Sequence, residues 1–302
     1  MVVGLSGDVQ SRTLSSMRRV ISWFLFPATV CAIVGGSAAA LARGVSPGSV
    51  ATLATIASIL VVAIFERIQP FRVEWNRSKG DLLTDALYIP TYLGVNGLIE
   101  PFVRGATVVV GVALSEAVGV GLWPGEWAIL GQLALACVVV EAFDYWPHRL
   151  LHEIPALWRF HAVHHNPKRI YWMNATRSHP VEIVFRGIVN VIPLALLGAG
   201  PEVIALIAVT NAVLGMYQHA NIDFELGPLS WIFSVGEMHR WHHSIQVEEA
   251  NANYGSNFLF WDVVFGTRFR DTTRSGPDEI GIADDYLPRE WWRQLGAPFL
   301  TR

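Results

Sequence analysis

Charge is scarce in this chain: Asp, Glu, Lys and Arg make up only 16% of its 302 residues, where soluble globular domains carry roughly 25%. Only Lys79 and Lys168 among the 22 basic residues are lysines, and the formal net charge is −3. With no basic surplus to neutralise phosphates, a nucleic-acid binder is a poor fit, and no nucleic-acid partner is expected. The two cysteines, Cys31 and Cys137, lie far apart inside apolar runs, so neither a disulfide framework nor a thiolate metal site is supported. Also missing are a Cys-rich iron–sulfur run, a flavin-binding glycine loop and a haem-attachment signature. The residue after His148 is Arg149, which removes the general base that the H-E-x-x-H zinc proteases place there. No nucleophile elbow is present.

Apolar residues fill the space that charge leaves: they make up 52% of the chain, with a mean hydropathy of +0.37. Residues 21–42 and 48–65 are uncharged and long enough to span a bilayer, and 127–140 form a third such run, reaching Phe143 if Glu141 faces protein. The stretch 82–122 is broken by Pro90, Glu100, Pro101, Arg104 and Glu116; it reads as an interfacial segment followed by one span over 105–122. Two shorter apolar halves in 183–218, separated by Gly198, Gly200 and Pro201, read as a re-entrant hairpin. Arg12, Arg18 and Arg19 before an apolar run that ends in Ala40-Leu41-Ala42 resemble a signal peptide. The length of the run and the span that follows favour an uncleaved helix.

The fold expected is therefore all-α and integral to the membrane, with about four transmembrane helices, a re-entrant hairpin and a helical cap. Arg12, Arg18 and Arg19, then Arg67, Arg72, Arg77 and Lys79, then Arg149, Arg159, Lys168, Arg169 and Arg177 all fall on the cytoplasmic side if 82–143 crosses twice. The chain divides into a cytoplasmic segment 1–20, a transmembrane region 21–143, a histidine-rich region 144–272 enclosing the hairpin 183–218, and a peripheral tail 273–302. Twelve tryptophans suit anchoring at the headgroup boundary; Trp158, Trp172 and Trp241 also sit among the histidines. The dominance of arginine over lysine points to a GC-rich, bacterial genome and hence to the inner membrane.

All ten histidines fall between His148 and His243. Three clusters stand out: His148-Arg-Leu-Leu-His152, His161-Ala-Val-His164-His165 and His239-Arg-Trp-His242-His243. Residues three and four apart share a helix face, so each cluster is expected to aim its imidazoles at one point. Neutral imidazole binds transition metals. Eight such rings, with His179 and His219 in reserve, exceed one tetrahedral ion and suit two. Imidazoles alone accept zinc, copper or nickel as well as iron, but a histidine-rich two-metal site against a bilayer points to redox and oxygen chemistry on a lipid. Metal-bound rings need partners that fix their tautomer. Asp144, Asn174, Asp223 and Glu237 are the leading candidates, with Glu141, Glu182 and Asn221 beside them; Asp144 either shares a face with His148 or caps a helix interrupted at Pro147. Gly255 and Gly266 read as turn residues.

The order H-x-x-x-H, H-x-x-H-H, H-x-x-H-H after several spans resembles the sterol desaturase/fatty acid hydroxylase superfamily. So do Asp144-Tyr-Trp-Pro-His148-Arg-Leu-Leu-His152-Glu153, Trp158-Arg-Phe-His161-Ala-Val-His164-His165, Asn253-Tyr-Gly and Trp261-Asp-Val-Val-Phe-Gly-Thr267. The similarity covers about residues 125–270. It implies a non-haem di-iron monooxygenase or desaturase that uses O2 on an unactivated C–H bond of a membrane lipid, with 144–272 as its catalytic region. The ligands it implies are His148, His152, His161, His164, His165, His239, His242 and His243, joined by His179 in Ser-His-Pro and His219 in Gln-His-Ala-Asn. Electrons would come from a separate ferredoxin, cytochrome b5-like protein or reductase. Carotenoid hydroxylation and ether-lipid cleavage are alternatives within the superfamily. A metal carrier is the rival outside it, but a transport path needs ionisable residues within several spans, and these spans hold few.

Overall fold

The computed structural model describes residues 6–119 and 121–300, with side chains from residue 16 onward except at 100, 103, 104, 106–108, 190 and 191. The side chains of Arg12, Glu100 and Arg104, on which parts of the expected topology rest, lie outside that range. Eleven α-helices occur among the described residues, and no strand. They are α1 (Ser6–Ala42), α2 (Pro47–Ile68), α3 (Leu82–Val118), α4 (Ile129–Glu153), α5 (Pro155–His165), α6 (Pro180–Leu197), α7 (Pro201–Gln218), α8 (Gly236–His242), α9 (Val247–Ala250), α10 (Phe260–Phe265) and α11 (Trp291–Gly296).

Local chemistry sets several boundaries. Helices α2, α5, α6 and α7 each open on a proline, whose missing N–H costs nothing in a first turn. Gly119 and Gly198 close α3 and α6 in the left-handed region, at φ 76° and 83°, where a Cβ would be strained. Ile154 alone separates α4 from α5, in extended backbone at φ −103°, ψ 113°. Proline disfavours the helical conformation in the residue before it, so the chain folds back sharply and α5 returns over the end of α4.

Five helices are long and apolar enough to cross a membrane: α1 from Ser16, α2, α4, α6 and α7. The expected hairpin is two helices of 18 residues each, about 27 Å long by the helical rise, and so near the hydrocarbon thickness. The expected break in 82–122 is absent: α3 runs through Pro90 and Pro101, so 105–118 is the second half of one helix and its longest apolar part is Val109–Val118. Likewise α4 runs through Pro147, which removes the capping role considered for Asp144.

Helix α7 is the centre of the bundle. Its Leu206, Val209, Val213, Leu214 and Tyr217 are fully buried, and it packs on α1, α2 and α4. Phe26 of α1 meets Tyr217 edge-on, with ring centroids 5.2 Å apart. On the outside, α2 exposes Leu53, Leu60 and Ile64. In a bilayer those side chains stay in hydrocarbon, and helix association rests on packing and polar contacts. Such contacts tie the helix ends: Gln69 Nε2 donates to Ser22 Oγ at 2.8 Å, and Glu66 Oε1 accepts from the backbone N–H of Trp172 (2.8 Å) and Asn221 (3.0 Å).

The segment 273–300, expected as a peripheral tail, folds over α3 and α5. Gln294 is fully buried, its Oε1 accepting from Tyr88 Oη at 3.0 Å and from Arg177 at 3.2 Å. Ile282 and Leu287 pack with Ala162 and Val163 of α5.

Candidate metal centre

Nine of the ten histidines converge at the end of the bundle, in two groups. His148, His152, His161, His165 and His242 form one; His164, His219, His239 and His243 form the other. Within each group one ring nitrogen per residue lies within 4.8 Å of all the others. The groups adjoin, with His165 stacked on His243 at 4.4 Å between centroids.

The partition differs from the expected one cluster, one point. Helix α5 sends His161 and His165 to the first group and His164 to the second. Helix α8 sends His239 to the second and His242 to the first, and His243, the residue that caps α8, joins the second. Helical geometry accounts for the split: residues i and i+4 lie about 40° apart around the axis, whereas i+3 and i+4 lie about 100° apart. Each H-x-x-H-H triplet therefore serves both groups.

Proton positions follow from what surrounds the rings. The Nδ1–H of His148 donates to Tyr254 O at 2.6 Å, that of His164 to Arg177 O at 3.0 Å, and that of His242 to Ala252 O at 2.8 Å. His219 Nδ1 faces Gly215 O at 3.3 Å, His152 Nδ1 faces Asn251 Oδ1 at 3.1 Å, and His161 Nδ1 faces Glu182 Oε1 at 2.9 Å. A neutral imidazole has one proton, so each of these rings turns an Nε2 lone pair inward. Yet His148 and His161 bring their Nε2 atoms to 3.1 Å, His148 and His242 to 3.0 Å, and His164 and His219 to 3.3 Å. Lone pairs facing each other at that distance repel unless a cation lies between them. Nitrogens bound side by side to one metal at about 2.1 Å sit about 3.0–3.4 Å apart, so the donor set fits two ions. His152 Nε2, buried with no hydrogen-bond partner, is available in the same way.

Electrostatics agree. Burial pushes the imidazoles beyond the membrane-spanning helices down, His219 and His242 to about 4 and His161, His164, His165, His239 and His243 well below the ordinary histidine value. At neutral pH the rings are unprotonated, as metal binding requires.

His179 is not brought to either group. Its Nδ1 accepts from the N–H of Val181 at the start of α6 (3.1 Å), and its Nε2 donates to Leu295 O at 3.1 Å, so the proline after it makes it a helix cap. The leading candidates for orienting the rings also lie elsewhere. Asp144 pairs with Arg186 of α6, 2.6 Å away. Asn174 binds the Tyr171 N–H and reaches Asp85. Glu237 pairs with Arg270 and accepts from Leu226 N–H, and Asp223 is exposed. Glu182 is the carboxylate that touches a clustered ring, and both side chains are essentially inaccessible. A sequence signal for it exists: Glu182 and Arg186 stand four apart in an otherwise uncharged helix, and ionisable residues in such segments have partners.

Asp262 went unnoticed in the sequence. Its carboxylate accepts from the backbone N–H of Tyr254 (2.8 Å) and Gly255 (2.7 Å) and from Thr267 Oγ1 (2.6 Å), which fixes the loop whose Tyr254 carbonyl holds His148. A Cβ on Gly255 would lie 2.1 Å from Phe258 O, so only glycine fits. The motifs around Asn253 and Trp261 thus build one support for the first group.

A family model for fatty acid hydroxylases matches residues 133–267, a segment holding all ten histidines. The ornithine lipid hydroxylase OlsE of Rhizobium tropici is 34% identical over 291 residues, 94% of this chain and 86% of that enzyme. The alkylglycerol monooxygenase of Danio rerio is 33% identical over 145 residues, 48% of this chain and 31% of its own. A very-long-chain aldehyde decarbonylase of Oryza sativa subsp. indica is 28% identical over 145 residues, 47% of this chain and 54% of its own. No solved structure matches the chain. Apolar helices, clustered neutral imidazoles and these relatives together make the chain an oxidoreductase of the fatty acid hydroxylase type, and it belongs to the sterol desaturase/fatty acid hydroxylase superfamily.

Proposed function

We propose that the chain is an O2-dependent di-iron hydroxylase acting on a membrane lipid. The observation that carries this reading is the convergence of nine neutral imidazoles, eight of them buried, on two adjacent points above a bundle of apolar helices. Hydroxylation is favoured over desaturation by relatives named hydroxylase and monooxygenase. Ornithine lipid is the first substrate to test, because the relative that spans nearly the whole chain acts on it by name.

Two iron ions held by the two groups would supply reductive activation of O2 and attack on an unactivated C–H bond. Overall, R–H, O2, two electrons and two protons give R–OH and water. The chain's own residues prepare the site. Carbonyls of Ala252, Tyr254 and Arg177 lock the Nδ1–H tautomer of three rings. Glu182 raises the basicity of His161. Burial of the rings excludes water that would otherwise quench a reactive centre. No electron-carrying motif accompanies the site, so a separate ferredoxin, cytochrome b5-like protein or reductase supplies the electrons. With α3 and α4 crossing as a pair, the arginine distribution favours the cytoplasmic side for the site, and the bacterial source of the ornithine lipid hydroxylase relative favours an inner membrane.

The test uses purified protein, an added reductase and ferredoxin, ornithine lipid and 18O2. Expected are about two irons per chain and one labelled oxygen in the lipid. Equimolar zinc in protein made with ample iron, with no lipid gaining oxygen, would overturn the assignment.

A further inference from the structure

Beside the first histidine group lies a cavity of about 1140 Å³, larger than the roughly 300–1,000 Å³ of most small-molecule sites. Its floor is α5, with Trp158 and Arg159; opposite stand residues of 284–300, and 79–81 close one side. The indole of Trp158 packs against His152 at 5.2 Å and His165 at 5.4 Å between centroids. One side chain therefore separates this space from the candidate ligands.

Two features define what the space would accept. Leu287, Pro298 and Leu300 line it together with Trp158, which gives apolar walls. Arg159, Arg289 and Asp284 also line it and form no ion pair among the described residues. Free charges of both signs on one rim complement an ammonium and an anionic group on one ligand. Arg159, Lys168 and Arg177 of the lining belong to the segment that the family model matches, 133–267, whereas the parts contributed by 79–81 and 284–300 lie outside it and are where a particular member of the family would set its substrate.

We propose that this cavity binds the zwitterionic headgroup end of the lipid substrate, an amphiphile carrying one ammonium and one carboxylate or phosphate, with Trp158 as the partition between it and the metal centre. This rests on the hydroxylase reading. The experiment is photolabelling of the full chain in an uncharged detergent, with neither reductant nor O2, by an ornithine lipid bearing a diazirine beside its headgroup. Labelled peptides should map to 155–159 and 284–300. Gly296 lines the cavity, and a Cβ added there would meet nothing within 4 Å; Gly296→Trp should therefore cut labelling about ten-fold while metal content stays at the wild-type level. Asp284→Lys, at the exposed rim, should raise the half-labelling concentration about five-fold. Phosphatidylethanolamine should compete if an ammonium with any anion suffices, and ornithine lipid alone if the carboxylate is read; lauric acid should compete poorly. Labels along the separate apolar cavity of about 380 Å³ between α3 and α6, lined by Val95, Leu98 and Val184, wild-type labelling of Gly296→Trp, or lauric acid competing as well as the aminolipids would each overturn the proposal. Since no turnover is involved, a protein that fails to hydroxylate still reports on the cavity, and one that hydroxylates yet labels elsewhere refutes the cavity alone.

Discussion

At the scale of single residues, the histidines are not equivalent, and substitution should separate them. His242→Ala removes a ligand from the first group and His239→Ala one from the second. Each should lower metal content toward one ion per chain and abolish product, read by elemental analysis and lipid mass spectrometry. His179→Ala should leave metal content unchanged, because that ring caps α6; its cost is about 1 kcal/mol of stability, the usual worth of an N-cap. Glu182→Gln keeps a hydrogen-bond acceptor for His161 but replaces the carboxyl group with an amide. Competition with a chelator should show one ion weakened about 10–100-fold and the other unchanged; equal weakening of both would assign Glu182 a purely structural role. The histidine clusters were plain in the sequence because their spacing is local. Glu182 was one name among several, since its contact with His161 depends on how α5 and α6 pack.

At the scale of elements, the support behind the rings matters as much as the rings. Gly255→Ala would force a Cβ against the Phe258 carbonyl, and opening that loop withdraws Tyr254 O from His148. The melting temperature and first-group metal should fall together, with a destabilisation of about 2–4 kcal/mol, the range for strain at a position with no room; a variant that unfolds earlier but holds both ions would separate loop from ligand. Helix existence was legible from apolar runs, since a span announces itself by length. The continuity of α3 was not: Pro90 and Pro101 argue for a break, and α6, packed along α3, supplies contacts that no local rule contains. The fold-back at Ile154-Pro155 could be read, but not the direction in which it sends α5.

At the scale of the whole molecule, acid should unmake the site. The buried rings stay neutral in the folded chain, with His219 and His242 at about 4, while the unfolded chain titrates near 6.5. Their contribution is thus fully present above about pH 6.5 and is lost as pH falls toward 4, where the unfolded chain has taken up protons that the folded one refuses. Thermal unfolding of metal-free protein in detergent should show a melting temperature that drops steeply over that window and little above pH 7; a flat profile would mean that the rings are accessible to protons. The overall plan, apolar helices carrying a histidine cap, was legible from composition and motif order. The packing of 273–300 onto α3 and α5 was not, because Gln294, Tyr88 and Arg177 lie far apart in the chain and signal nothing singly.

The division of each H-x-x-H-H triplet between the two groups also bears on synthesis. Translation runs from the amino terminus, so α4, α5 and α7 leave the ribosome long before α8. Had each motif built its own site, the earlier ones could capture metal on a half-made chain. As it stands, the first group lacks His242 and the second lacks His239 and His243 until residue 243 has emerged. Both sets of rings become complete in the same short interval, after helices α1–α7 have been made and just before the 252–262 loop that orients His148 and His242 emerges.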